Sequence, residues 1–292
     1  MAQPSGIVTR SRPVYSHGRE FELSRIQFDE VKALVKSHTG IHLTDHKKEL
    51  VYGRLARRLR MLGLNDFGRY LAMLKRPGSE ELENFVNAIT TNLTSFFREP
   101  HHFEYLANQF VPELIARDRE ARCVRIWSAG CSTGEEVYSL AMTLTEALAR
   151  HPGWTYRLDA SDLDSDVLET ASDGVYSASR VEGLSTARLH RFFLRGKGKQ
   201  AGKVRIQRGF REHISFHQVN LMQQWPYDGP FDAIFCRNVV IYFDKPTQRA
   251  LFDRFATMLP MGGLLFVGHS ESLYRVTDRF RLIGKTIYER IS

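Results

Sequence analysis

A run of small residues between a strand and a helix lets backbone reach a ligand. The sequence has one at Ile126-Trp127-Ser128-Ala129-Gly130-Cys131-Ser132-Thr133-Gly134-Glu135-Glu136. Without bulky side chains, N–H groups can approach closely, and the helix start adds partial positive charge. The order Gly-x-x-x-Gly (Gly130, Gly134) differs from the Gly-x-Gly-x-x-Gly of nicotinamide enzymes. The Lys-Ser/Thr ending of a phosphate-cradling loop is also missing. Glu135 and Glu136, taken alone, need only complement the helix dipole. At the next strand end, in Ala160-Ser161-Asp162-Leu163-Asp164, Asp162 is placed to accept both hydroxyls of a ribose. Asp164 or Ser165 can cap the helix that follows.

A third stretch, Phe231-Asp232-Ala233-Ile234-Phe235-Cys236-Arg237-Asn238, is a buried strand running straight into two polar residues, with Tyr242-Phe243 beyond. Polar groups at the carboxyl end of such a strand face the cleft. The fourth is Thr90-Thr91-Asn92-Leu93-Thr94-Ser95-Phe96-Phe97-Arg98-Glu99-Pro100. A cap (Thr94 or Ser95), two core phenylalanines and a proline opening a helix explain most of it. Asn92 and Arg98 are left without a role.

Two kinds of element must hold these stretches. From 21 to 90 the apolar residues recur at helical spacing: Phe28, Val31, Leu34 and Val35, then Val51, Leu55, Leu59 and Leu62, then Tyr70, Leu71 and Leu74, then Leu82, Phe85, Val86 and Ile89. Gly40 stops the first helix, Thr44 and Asp66 can open the second and third, and Ser79 can cap the fourth. The second helix is basic, with Lys47, Lys48, Arg54, Arg57, Arg58 and Arg60. Those six form either a solvated face or a ridge for an acidic partner. From 124 onward, short apolar runs (124–128, 157–161, 233–236, 264–267) alternate with helices (135–149, 246–258). This is the pattern of a parallel sheet covered on both faces. Lys285-Thr286-Ile287-Tyr288, within 280–291, can finish the sheet as an antiparallel edge. Between about 178 and 218 the alternation breaks. A Gly/Lys-rich turn with Gly196, Gly198 and Gly202, followed by 204–207 and 214–217, predicts an inserted antiparallel patch.

The bulk properties agree. A length of 292 residues suggests two domains, and 42% hydrophobic with 25% charged residues gives a chain that packs a core. No apolar run reaches the ~20 residues that span a bilayer. Residues 1–20 lack a secretory h-region and read as a short disordered tail. Cys123, Cys131 and Cys236 share no metal or disulfide spacing and read as reduced thiols in a cytoplasmic protein. A net charge of +8 implies an anionic partner: nucleic acid, a membrane surface or an acidic protein.

Standing in this order, the four stretches resemble the chemotaxis receptor glutamate methyltransferases, the CheR family. Leu264-Leu265-Phe266-Val267-Gly268-His269-Ser270-Glu271-Ser272 also belongs to the likeness. The resemblance implies an α/β, Rossmann-like sheet at 91–292 that binds S-adenosylmethionine and leaves S-adenosylhomocysteine, with no metal. It also implies an N-terminal helical domain at 21–90 and a small inserted β-subdomain. It makes Asn92, Thr94 and Arg98 contacts to the methionine part of the cofactor, Glu136 an acidic contact and Asp162 the ribose acid. Asn220 and Leu221 would flank the adenine, Arg237 and Asn238 would close the pocket, and Tyr242 with Arg98 would lie beside the transferred methyl. The basic helix would dock the receptor's methylation helices, and the insertion would clamp a tethering peptide at a receptor C-terminus. The enzyme would act as a monomer on its receptor.

Glutamate is ionised at neutral pH, so the chemistry implied needs no general base. Two other readings compete. A nucleic-acid methyltransferase fits the charge, but enzymes methylating exocyclic amines carry Asp/Asn-Pro-Pro-aromatic where this chain has Asn238-Val239-Val240. A non-catalytic cofactor sensor would lack a cofactor acid or the site asparagine, and both are present.

Overall fold

The computed structural model describes residues 20–117 and 120–292. The expected tail therefore falls, apart from Glu20, outside the described residues. Four helices form the N-terminal bundle: α1 (Arg25–Thr39), α2 (Lys48–Met61), α3 (Phe67–Leu74) and α4 (Glu81–Ile89). Their apolar stripes meet in one core that includes Phe28, Val31, Leu55, Leu59, Phe67, Tyr70 and Phe85. Ser24 opens α1 with a reciprocal capping box to Gln27, and Asp66 caps α3 through the Arg69 N–H. Gly40 ends α1 at φ 76°, where a side chain would also collide with Met222. Thr44 and Ser79 do not cap. Thr44 precedes a 3-10 turn (Asp45–Lys47) that intervenes before α2, and α4 starts after Glu80 with no side-chain cap.

The basic ridge on α2 is only partly a surface. Arg58 makes two bonds to the buried Glu81, at 2.8 and 2.6 Å, and Tyr70 donates to the same carboxylate. Arg54 donates to the carbonyls of Ile89 and Thr90, at 2.6 and 2.7 Å, tying α2 to the end of α4. Arg60 pairs with Glu20. Lys47 and Arg57 are exposed, and Lys48 is half-buried with its ammonium 5.9 Å from the Phe28 ring centroid, so these three are left without a carboxylate or carbonyl partner among the described residues.

After the junction come α5 (His101–Tyr105), a π-helical turn (Leu106–Phe110) and α6 (Val111–Ala116), a continuous helical stretch laid on the sheet. Strand β1 (Cys123–Ala129), helix α7 (Glu135–Leu148), strand β2 (Thr155–Asp162) and helix α8 (Ser165–Asp173) follow. The insertion consists of β3 (Val175–Ser177), α9 (Thr186–Phe192), β4 (Phe193–Arg195) and β5 (Lys203–Ile206), then α10 (Arg208–Arg211). Its three strands make a separate antiparallel sheet in the order β3-β5-β4. The chain then returns through β6 (Ile214–Gln218), β7 (Ala233–Phe235), α11 (Lys245–Met258), β8 (Leu264–Phe266), β9 (Phe280–Gly284) and β10 (Ile287–Arg290). The main sheet has the order β6-β2-β1-β7-β8-β10-β9, parallel through β8 and antiparallel at the last two strands.

One expectation changes, and the antiparallel edge expected over 280–291 is found as two strands. The segment 214–217 does not join the inserted patch. It is instead the parallel edge strand β6, paired with β2 from Leu158↔Ile214 to Asp162↔Gln218. A five-residue strand of mixed polarity, Ile-Ser-Phe-His-Gln, does not announce which sheet it joins, and the insertion ends before it. The C-terminal segment forms a hairpin turning at Lys285-Thr286; β10 lies inside the sheet and β9 is its edge. Strand β1 sits between β2 and β7, so the order reverses there and leaves a crevice at the strands' carboxyl ends.

The buried Arg58–Glu81–Tyr70 group generates a stability prediction. Glu81→Leu leaves a guanidinium and a phenol without their acceptor, and urea unfolding should show a loss of about 3 kcal/mol. Arg57→Gln, on the open side of the same helix, should stay within about 0.5 kcal/mol of the parent.

Candidate active site

The crevice becomes a cleft because the bundle closes over it. All ten residues singled out from the sequence line it together: Asn92, Thr94, Arg98, Glu136, Asp162, Asn220, Leu221, Arg237, Asn238 and Tyr242. Residues of the bundle, among them His42, Lys47, Leu50 and Arg54, form the facing wall.

The floor is the loop after β1. The N–H groups of Gly130 and Cys131 both donate to the Ser161 carbonyl at the end of β2, which turns the loop sharply. A Cβ at Gly130 would come within 2.5 Å of Val239, so only glycine lets the two loops meet. Asp162 holds the loop from the other side: its Oδ2 accepts from the Ser132 N–H at 2.8 Å and its Oδ1 from the Asp164 N–H at 3.1 Å. Burial raises Asp162 to about 6, against the pull of those backbone donors.

Asp164 has a larger part than a cap. Its Oδ1 accepts from the N–H groups of Asp166 and Val167. Its Oδ2 accepts from the Thr90 hydroxyl and the Asn92 amide, each at 2.6 Å. Asn92 is thereby fixed, and its carbonyl in turn accepts from Ser132 at 3.1 Å. Its side-chain nitrogen is thus engaged by Asp164. The expected caps at Thr94 and Ser95 are not formed, since the next helix starts only after Pro100.

At the far end of the junction stands Arg237. Its Nη1 donates to Glu136 at 2.9 Å, its Nη2 donates to the Arg98 carbonyl, and Glu99 lies 3.4 Å away. Glu136 also accepts from Ser128 at 2.7 Å. It is therefore a buried partner, not the exposed dipole complement considered from the sequence. Burial pushes Glu136 above the usual carboxylate range, with the Arg237 charge pulling the other way. Burial works on Glu99 too, but the His269 hydrogen bond and Arg237 outweigh it and hold Glu99 down to about 2. Glu135 is buried as well and pairs with Arg180 of the insertion.

Glu99, His101 and His102 bring potential metal-ligating atoms within 4.8 Å of one another. That carboxylate already faces a guanidinium, and burial with the Arg237 charge pushes His102 down to about 3. Neutral His102 places Nε2 3.0 Å from the Thr286 hydroxyl and 3.2 Å from the Lys285 carbonyl.

The loop after β7 carries Asn238 and Tyr242, and its organiser is Glu271, a residue of the likeness with no role legible in the sequence. Its buried carboxylate accepts from the N–H groups of Gly268 at 2.6 Å, Asn238 at 2.8 Å and Ile241 at 3.2 Å. Asn238 is held at φ 60°, and a side chain at Gly268 would run into its amide. The Tyr242 carbonyl accepts from the His42 N–H at 2.7 Å, and the Asn220 amide donates to the His38 carbonyl. Lys36 pairs with Asp244 at 2.7 Å, so the bundle is sewn to the rim at several points. Leu221 belongs to the apolar cluster with Val219 and Trp225. Phe97, Glu99, Ser132 and Asn238 all adopt positive φ at or beside the cleft. Concentrated backbone strain of this kind marks a functional site.

The features suit S-adenosylmethionine. A buried acid stands at a strand end, a glycine-turned loop precedes a helix start, and Val219, Leu221 and Val239 supply apolar wall. Comparison with known proteins agrees. Residues 92–289 match the family model described as the CheR methyltransferase SAM binding domain, and 26–90 match the CheR methyltransferase all-alpha domain. The chain is 48% identical to the chemotaxis protein methyltransferase of Salmonella typhimurium, covering 91% of this chain and 90% of that one. It is 46% identical to that of Escherichia coli K12, covering 91% of each. It is also 46% identical to chemotaxis protein methyltransferase 2 of Pseudomonas aeruginosa, over 94% of this chain and 96% of that one. The chain belongs to the CheR family of S-adenosylmethionine-dependent chemotaxis protein methyltransferases.

Proposed function

We propose that the protein transfers a methyl group from S-adenosylmethionine to glutamate side chains of a chemoreceptor, forming glutamyl methyl esters. The observation that carries this reading is the charge of the cleft wall. Arg237 is balanced by Glu136 and Glu99, whereas Lys47, Arg54 and Arg98 line the same cleft with no carboxylate partner among the described residues. Three cations without a counter-carboxylate beside a methyl donor suit an anionic acceptor.

Bound S-adenosylmethionine supplies an electrophilic methyl group on a sulfonium centre. The residues of the chain then have orienting and desolvating work to do. Asp162 accepts the ribose hydroxyls, and Val219 and Leu221 give the adenine an apolar face with Asn220 beside it. Asn92, held by Asp164, and Thr94 bracket the methionine end. Arg98 donates through Nη1 to the Leu93 carbonyl at 2.8 Å, which fixes its guanidinium while leaving other donors for a carboxylate. Tyr242, on the turn organised by Glu271, offers a hydroxyl to the same place. An ionised glutamate needs no base, so rate comes from alignment and exclusion of water.

The cleft mouth suits an acidic amphipathic helix. Leu93 is 77% exposed and Leu50 43% exposed beside it, and Lys47, Lys48 and Arg57 lie on the α2 flank. Methylation helices of a receptor would set apolar residues on the leucines and acids on the cations, with docking that weakens as salt rises. The inserted sheet is the candidate clamp for a receptor's C-terminal tethering peptide. The three free cysteines, two of them buried, fit a reducing cytoplasm.

Two outcomes test this reading. Tritiated methyl from S-adenosylmethionine, incubated with receptor-bearing membranes, should appear as base-labile methanol, and Arg98→Ala should cut kcat/KM roughly a hundredfold. Cofactor binding without any base-labile label would contradict it. Asp162 must be ionised to accept the ribose hydroxyls, and it titrates at about 6 in the free protein. Cofactor affinity by calorimetry should therefore be flat above neutrality and fall as pH drops through that value, with proton release on binding. Asp162→Asn should flatten the profile and weaken binding roughly ten- to hundredfold at pH near 7.5.

A further inference from the structure

Ten of the chain's 41 lysines and arginines, but only two of its 33 acidic residues, lie in residues 175–213. That stretch, the insertion, therefore holds a net +8, the charge excess of the entire chain. The structure divides these ten cations sharply. Arg180, Arg188 and Arg208 pair with Glu135, Glu146 and Glu212, and Arg205 and Arg211 donate to backbone carbonyls of residues 172–173. Arg191, Arg195, Lys197, Lys199 and Lys203 are exposed and have no carboxylate partner among the described residues.

Those five belong to one small feature. Arg195 ends β4, Lys203 opens β5, Lys197 and Lys199 occupy the connecting turn, and Arg191 lies in α9 just before β4. The turn is tight: a side chain at Gly196 would collide with the Gln200 carbonyl, and Gly202 has φ 81°. The hairpin thus holds its cations close together although like charges repel. Beside them Leu194, opposite Arg205 in the register, is 55% exposed, while Phe193 and Ile206 on the other face are buried.

We infer that this hairpin end is an electrostatic docking surface for a bilayer leaflet rich in anionic phospholipid. Long, unpaired cations spread over a turn and two strand ends match a plane of phosphates, which demands charge density and no particular register. An exposed leucine among them can sit at the level of the headgroups. A single-stranded nucleic acid fits less well, because Phe192 and Phe193, the aromatic residues of the feature, are buried and cannot stack on bases. An enzyme whose substrate is membrane-bound would gain local concentration from weak, reversible attachment of this kind, but the inference does not depend on the methyl-transfer reading.

The test is co-sedimentation of the full chain with sucrose-loaded vesicles, made either of phosphatidylcholine and phosphatidylglycerol in equal parts or of phosphatidylcholine alone. The parent should bind only the anionic vesicles and be released by salt. Each cation near such a leaflet multiplies partitioning roughly fivefold, so K197Q/K199Q/K203Q should bind roughly a hundredfold more weakly. The same variant should keep the parent's urea-unfolding midpoint, which shows that it is folded. K47Q/K48Q/R57Q, on the bundle, should keep vesicle binding. No binding by the parent, equal binding by the hairpin variant, or loss confined to the bundle variant would each overturn the inference. So would intact vesicle binding by the hairpin variant with weakened capture of an acidic receptor tail, since that result assigns the cations to a polypeptide.

Discussion

Arg237 is a charge in a place where charge is costly, and much of the site depends on how it is satisfied. It leaves the end of β7 and meets Glu136 in the first turn of α7, with Glu99 and the Arg98 carbonyl completing its surroundings. A buried ion that loses its partner costs several kcal/mol, so these three segments are obliged to stay together. One is the sheet, one is the helix that starts the cofactor loop, and one is the junction between the two domains. Asp164 performs the matching service at the other end of that junction through Thr90 and Asn92. Held at both ends, residues 90–99 accept positive φ at Phe97 and Glu99, and Arg98 projects from a strained but fixed segment.

The same logic explains why the helical bundle is more than an appended domain. Its residues form a wall of the cleft, and Tyr242, Asn220 and Asp244 on the sheet side are bonded to His42, His38 and Lys36 on the bundle side. The proposed transfer to an ionised glutamate, which would depend on alignment and dryness with no base to activate, would need such a lid in fixed register. The insertion is tied to the same centre from below. Arg180 reaches Glu135 beside Glu136, and the Tyr176 hydroxyl donates to the Thr133 carbonyl of the cofactor loop.

What the sequence revealed and what it hid divide along the range of the interactions. Apolar periodicity placed the four bundle helices and the alternation of the sheet, and strand ends drew attention to Asp162, Arg237 and Asn238. All of those are readable within a few residues. Long-range partners were not. Arg58 and Glu81 are 23 residues apart and Arg54 and Ile89 are 35 apart, so a ridge counted as six cations presents only three. Glu135 read as a dipole complement because its partner Arg180 lies in an insertion. Glu271 carried no local sign of its task, since it acts on backbone N–H groups 30 and 33 residues away. Strand β6 is hidden for a related reason: pairing with β2 is a property of the returning chain and leaves no trace in five residues of mixed polarity.

The Arg237–Glu136 pair holds the cofactor loop, the β7 end and the junction as one unit. A double-mutant cycle with Arg237→Met, Glu136→Gln and the combination, followed by urea unfolding and by calorimetric binding of S-adenosylhomocysteine, tests it directly. Each single change should cost about 3 kcal/mol of stability and weaken binding at least tenfold. The double change should cost less than the sum by at least ~1.5 kcal/mol. Additive losses with unchanged cofactor affinity would mean that the pair is incidental to the site.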